Sequence, residues 1–117
     1  MMIVGIQATS TFTDYNVFLR AMGVALSTMP ADDKYFYIYS AGPAKLNAMA
    51  TEFVNMSERG MKTRGRKIKL YKVPPSWMSE NMESFNYFAY FSLPKESVSK
   101  LVHEAEDKNV DVGIFRY

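Results

Sequence analysis

The chain has 117 residues, of which 48% are apolar, 15% aromatic and 22% charged, with a formal net charge of +2. That is the composition of one globular domain, and it excludes a disordered, collagen-like or coiled-coil chain. With no cysteine and one histidine, His103, the chain excludes disulfides, zinc–thiolate and multi-histidine metal sites and a cysteine nucleophile.

The elements follow in chain order from apolar periodicity. Met2-Ile3-Val4-Gly5-Ile6 is a short buried run that predicts a first strand, followed by a turn at Ala8-Thr9-Ser10-Thr11. Thr13 or Asp14 can cap a helix whose apolar face is Phe18, Ala21, Met22, Ala25 and Met29, ended by Pro30 and Asp32-Asp33. Tyr35-Phe36-Tyr37-Ile38-Tyr39 is strongly β-prone, and Ser40-Ala41-Gly42-Pro43 turns the chain, with Pro43 placed in the first turn of a second helix. Leu46, Met49, Ala50 and Phe53 make the stripe of that helix, and Gly60 is expected near its C-terminal end. Ile68, Leu70, Tyr71 and Val73 predict a third strand, stopped by Pro74-Pro75.

A short helix over Ser76 to Ser84 would hold Trp77, Met78 and Met82. Tyr87-Phe88-Ala89-Tyr90-Phe91 is a fourth strand. Pro94 is expected to open a helix with Val98, Leu101, Val102 and Ala105 on one face, and Val110, Val112, Ile114 and Phe115 make a fifth strand. Strands alternating with helices predict an α/β fold: a single domain over residues 1–117, a three-layer Rossmann-like sandwich of about five mainly parallel strands with helices on both faces. No apolar run approaches the ~20 residues of a membrane span, and the opening residues lack a signal-peptide pattern, so the expected compartment is the cytoplasm and no membrane partner is expected.

In such a sheet, ligands lie at the carboxyl ends of the strands. Those ends hold Gln7, Thr9 and Ser10 after strand one, Ser40, Ala41, Gly42 and Lys45 after strand two, and Trp77 after strand three. The small-residue turn at Ser40 could present backbone N–H groups to an anion, with Lys45 beside them. It is equally a good strand-to-helix turn. Trp77 could stack on a base or serve as a core aromatic.

Charge is uneven. Residues 58–72 carry a net +6, against −1 for residues 1–57 and −3 for residues 73–117. The cationic side chains Arg59, Lys62, Arg64, Arg66, Lys67 and Lys69 could meet RNA or an acidic protein face; a solvated loop is the plainer reading. Eight tyrosines and nine methionines fit a sheet-filling role or a partner surface, which would also permit a homodimer. Asp14 and Glu80 are the only carboxylates near the strand ends that could serve acid–base chemistry, and no motif joins them; no catalytic residue, cofactor or metal is assigned.

Several turns resemble the SLOG superfamily of Rossmann-like domains, whose members include DNA-processing proteins and LOG phosphoribohydrolases. Phe12-Thr13-Asp14-Tyr15 is similar to its F-x-D-Y entry to helix one. Ser40-Ala41-Gly42-Pro43-Ala44-Lys45-Leu46-Asn47 stands where the family has S-G-G-A-x-G-A-D, and Pro74-Pro75-Ser76-Trp77 resembles its P-A-D-W. Ala41, Lys45 and Asn47 replace Gly, Gly and Asp, and the Arg-Asn-Arg and P-G-G-x-G-T signatures are missing. The resemblance implies a non-catalytic binding or regulatory protein holding a nucleotide-derived or phosphorylated ligand against Asp14, Tyr15, Ser40, Gly42, Lys45, Asn47 and Trp77. Small size and the methionine- and tyrosine-rich composition also resemble bacteriophage accessory proteins, such as T-even-type modifiers of a host valyl-tRNA synthetase. That resemblance implies a host protein or RNA as partner, met in the host cytoplasm through the basic segment.

Overall fold

The computed structural model describes residues 1–117. The five β-prone runs form β1 (Met2–Ala8), β2 (Tyr35–Ser40), β3 (Lys67–Lys72), β4 (Tyr87–Ser92) and β5 (Asp111–Arg116). All neighbours are parallel, in the order β3-β2-β1-β4-β5. The helices are α1 (Tyr15–Ser27), α2 (Ala44–Thr63), α3 (Pro75–Glu80) and α4 (Lys100–Asp107), with a 3-10 turn at Met82–Ser84. The sandwich is therefore α/β and Rossmann-like. The chain works outward from β1 to β3, then returns past β1 to lay down β4 and β5. That reversal makes the β1–β4 boundary the switch point of the sheet.

Alternation along each strand divides the core into two layers. On one face Val4, Ile6, Phe36, Ile38, Ala89 and Phe91 pack against Phe18, Ala21, Met22 and Ala25 of α1 and Leu46, Ala50 and Phe53 of α2. Phe12 stacks on Phe91 at 4.5 Å between ring centres, and Phe18 meets both Phe91 and Phe53. On the other face Phe88 and Tyr90 lie under Met78, Met82, Leu101, Val102 and Ala105. Burying one large apolar side chain contributes about 1.5–3 kcal/mol, so these two layers supply most of the drive to fold.

Three boundaries differ from the sequence reading, each for a local reason. The second helix passes through Gly60 and ends after Thr63, because Gly65, not Gly60, takes the left-handed conformation (φ 70°) that breaks the helix. Arg59 and Lys62 are thus helical, not part of a loop. Pro43 is the N-cap of α2, one position outside the helix. The last helix opens at Lys100, not at Pro94: Ser99 accepts a hydrogen bond from the Leu101 N–H and sets the start.

Candidate functional site

The strand-end loops bring some of the expected ligand residues together, but into contacts with one another. Ser40 is fully buried and donates to Asn47 Oδ1 at 2.5 Å, while the Gly42 N–H donates to Ser40 Oγ at 3.2 Å. The Ala41 N–H donates to the Ile6 carbonyl, and the Gly42 carbonyl accepts from the Ala8 N–H. The turn is satisfied internally, around a cis Gly42–Pro43 peptide and a φ of +88° at Gly42. Lys45 is exposed and bonded to nothing in the chain. Thr9 and Thr11 close on the Tyr117 hydroxyl from the far end of the chain, and Ser10 is exposed. Asp14 is the N-cap of α1, accepting from the Val17 N–H at 3.1 Å. Tyr15 stacks on Phe18, and burial, followed by the neighbouring Glu52 charge, raises its pKa. Asp14 and Glu80 begin and end helices on opposite faces of the sheet.

Gln7 sits apart from that cluster, at the switch point. A cavity of about 450 Å³ opens there between α3 and α4, with Gln7, Ser76, Ser79, Glu80, Lys100 and Glu104 among its walls. Gln7 Oε1 and Glu104 Oε1 are buried in it without a hydrogen-bond donor. The other carboxylate oxygen of Glu104 accepts from the Ser79 hydroxyl, and Lys100 Nζ lies 3.6 Å from Oε1. The walls favour N–H donors over phosphate.

A second surface was not singled out from the sequence. The helices of the α3/α4 layer cover β1, β4 and part of β5, and reach the end of β2 through Trp77, but leave the rest of the same face of β2 and β3 open. Tyr35, Tyr37 and Tyr39 of β2 and Lys67, Lys69 and Tyr71 of β3 point into this gap. Tyr35 is 42% exposed, Tyr71 38% and Trp77 36%, while Lys67 and Lys69 are exposed as well. The rings form one connected row. Tyr35 meets Tyr37, Tyr37 meets Tyr71, and Tyr71, Tyr39 and Trp77 stack at 4.8 and 5.2 Å with interplanar angles of 19° and 9°. Phe85, buried, meets Tyr39 edge-on and props the column. Burial first, then the neighbouring Tyr71 and Tyr37, raises the Tyr39 pKa. The signal was present as strict alternation: Lys-Ile-Lys-Leu-Tyr in β3 reads as a strand with one wet face.

The basic segment divides between elements, although Lys62, Arg66 and Lys67 line one pocket of about 340 Å³ together with Glu58. Arg59 and Lys62 lie on the last turns of α2 and Arg64 caps its end. Arg66 reaches back to the Pro30 and Ala31 carbonyls, at 3.5 and 3.3 Å. Only Lys67 and Lys69 join the tyrosine face. No helix is long and apolar enough to cross a membrane, and no cluster of three metal-ligating side chains occurs. No protein-family model, curated protein or solved structure matches the chain. Fold and surface together define a Rossmann-like α/β protein with one half-covered sheet face.

Proposed function

We propose that the protein is a binding protein that docks a macromolecule on the open β2–β3 half of its sheet, in the manner of a modifier of a larger partner. One observation carries this reading: four tyrosines, a tryptophan and two lysines share a face that the fold could have covered with a helix and does not. Aromatic side chains left open side by side on a small domain mark an interaction site, and tyrosine and tryptophan are the side chains that anchor interfaces. The resemblance to phage accessory proteins points the same way. Capture from a bacterial lysate tests the reading. Wild type and Lys45→Ala should recover the same macromolecular partner, and a Tyr37→Ser/Tyr71→Ser variant should lose it. Equal recovery by all three overturns the reading.

The switch-point cavity supports a second role, as the seat of a small ligand. The unpartnered Gln7 Oε1 and the Glu104 Oε1, which has only the ion pair to Lys100 and no hydrogen bond, favour a nucleotide-derived molecule held by the N–H groups of its base, not by its phosphates. Calorimetry with nucleosides and nucleotides decides this. Nucleosides should bind as well as their phosphates, and Glu104→Gln should weaken both; no heat from either class removes this role.

A further inference from the structure

We infer that the occupant of the open sheet face is single-stranded RNA, its bases stacked on the Tyr35 and Tyr37 rings of β2 and its phosphates following the β3 lysines; this rests on the docking role proposed above. The register provides the layout. Tyr35 pairs with Lys67, Tyr37 with Lys69, and Tyr39 with Tyr71. An aromatic row and a cationic row therefore run side by side, about 4.8 Å apart. Because β3 is the edge strand, the cations lie on the outer side and the rings on the inner side. A nucleic-acid strand has that same division, with charge along one edge and flat bases along the other.

Spacing agrees. Residues two apart on a strand are about 6.6 Å apart, roughly twice the ~3.4 Å rise of stacked bases, so successive tyrosines match a strand whose own stacking has been opened. A duplex cannot offer its base faces in this way. Tyr39, held between Tyr71 and Trp77 with both ring faces covered, anchors the row, and Tyr35 and Tyr37, which make only tilted and edge contacts, keep faces for bases, so little ordering remains to be done on binding. Neither β2 nor β3 contains a carboxylate, so nothing on the two strands repels phosphate. The lysines argue against a protein occupant, since lysine is depleted at the centre of protein interfaces. The hydroxyls of Tyr35, Tyr37 and Tyr71 have no partner within the chain. They can pair with the ribose 2′-hydroxyl, which distinguishes RNA from DNA. Stacking on aromatic side chains is how sheet surfaces hold unpaired bases in general, and the parallel sheet here supplies the same chemistry without a sequence signature for it.

Trp77 is the only tryptophan and stands at the end of the ring column, so its fluorescence reports the face directly. The probe is an oligouridine or oligoadenine RNA of about ten nucleotides, titrated into the full chain. Saturable quenching of Trp77 is expected, with affinity falling as salt rises at a log–log slope near −1.4 for two neutralised phosphates. Tyr37→Ala should weaken binding roughly 5- to 150-fold, the range for loss of one stacked base, while Tyr37→Phe keeps most of it. Lys69→Gln should lower the slope by about 0.7. No quenching, or quenching unchanged by Tyr37→Ala, overturns the inference. Equal binding of the matching DNA strand or of duplex RNA also overturns it. So does a concentration-dependent dimer, seen by sedimentation, that shields Trp77 and excludes the oligonucleotide. If RNA fails to bind while the Tyr37→Ser/Tyr71→Ser variant still loses its lysate partner, the docking role survives and the RNA assignment falls. If the variant keeps its partner, both fall.

Discussion

β2 reads Tyr-Phe-Tyr-Ile-Tyr-Ser and β4 reads Tyr-Phe-Ala-Tyr-Phe-Ser, nearly the same composition, yet they meet opposite surroundings. Every residue of β4 is buried, because β4 lies inside the sheet with helices above and below. β2 also lies inside the sheet, but alternates: Phe36 and Ile38 are buried under α1 and α2, while Tyr35 is exposed and Tyr37 and Tyr39 are half-buried. The difference is coverage. α3 is only six residues long and sits over the strand ends, where Trp77 meets Tyr39, and α4 lies beside β5, so from that side no helix covers β3 or the start of β2. Two strands of one composition become a core and a surface because of where the connecting segments fall.

The sharpest break of this comparison is energetic. Phe88→Ala in β4 should cost about 3–5 kcal/mol of unfolding free energy, the range for a deleted buried aromatic. Tyr37→Ala in β2 should cost less than about 1 kcal/mol, as for a side chain away from the tightly packed core. Urea unfolding measures both, and comparable losses would contradict the division of the sheet into covered and open halves.

A second test sits beside β4. A Cβ on Gly113 would run into the Tyr87 hydroxyl and fall 2.7 Å from the Phe115 ring. Gly113→Ala should therefore destabilise by about 1–3 kcal/mol through overpacking. The cost should be smaller in a Tyr87→Phe background, and a double-mutant cycle with no coupling would show that Tyr87 does not fill the space over β5.

The strand-end turn should respond less. Asn47→Ala removes the acceptor of the buried Ser40 hydroxyl, with an expected loss of about 1–2 kcal/mol. Lys45→Ala should leave stability unchanged, because Lys45 touches nothing. If Lys45→Ala were the more damaging of the two, the turn would be more than a satisfied connection.

The smallest effect is in alkali. Burial of Tyr87, followed by the Asp111 charge, raises its phenol pKa above the ordinary 10.0. Above about pH 10 the unfolded chain releases that proton while the folded chain keeps it, so stability is full below pH 10 and falls as pH rises toward the folded-state value. One such phenol contributes a slope of at most about 1.4 kcal/mol per pH unit. Tyr87→Phe should flatten the decline.

The covered half was legible in the sequence and the open half was not. Continuous runs such as Tyr87 to Phe91, set between helical stripes, indicate parallel strands, and Phe18, Ala21, Met22 and Ala25 indicate the face that packs on them. Helix ends were harder, since Gly60 and Gly65 are both plausible stops and only the backbone conformation chooses Gly65. The candidate site failed to appear for a different reason. Its residues come from β2, β3 and α3, distant in sequence, and Trp77 joins Tyr39 only because α3 folds back over the strand ends. The basic segment looked like one patch because it is contiguous in sequence. In space Arg59, Lys62 and Arg64 go with α2, Arg66 turns back to the loop before β2, and only Lys67 and Lys69 face the tyrosines.

The β2–β3 face is the proposed working surface of this protein. Photochemical crosslinking of the bound partner, followed by peptide mapping of the adducts, tests it most directly. Adducts on Tyr37, Tyr71, Trp77 or Lys69 are the predicted result. Adducts confined to Arg59, Lys62 and Arg64 at the end of α2, or to the turn from Ser40 to Lys45, would contradict it.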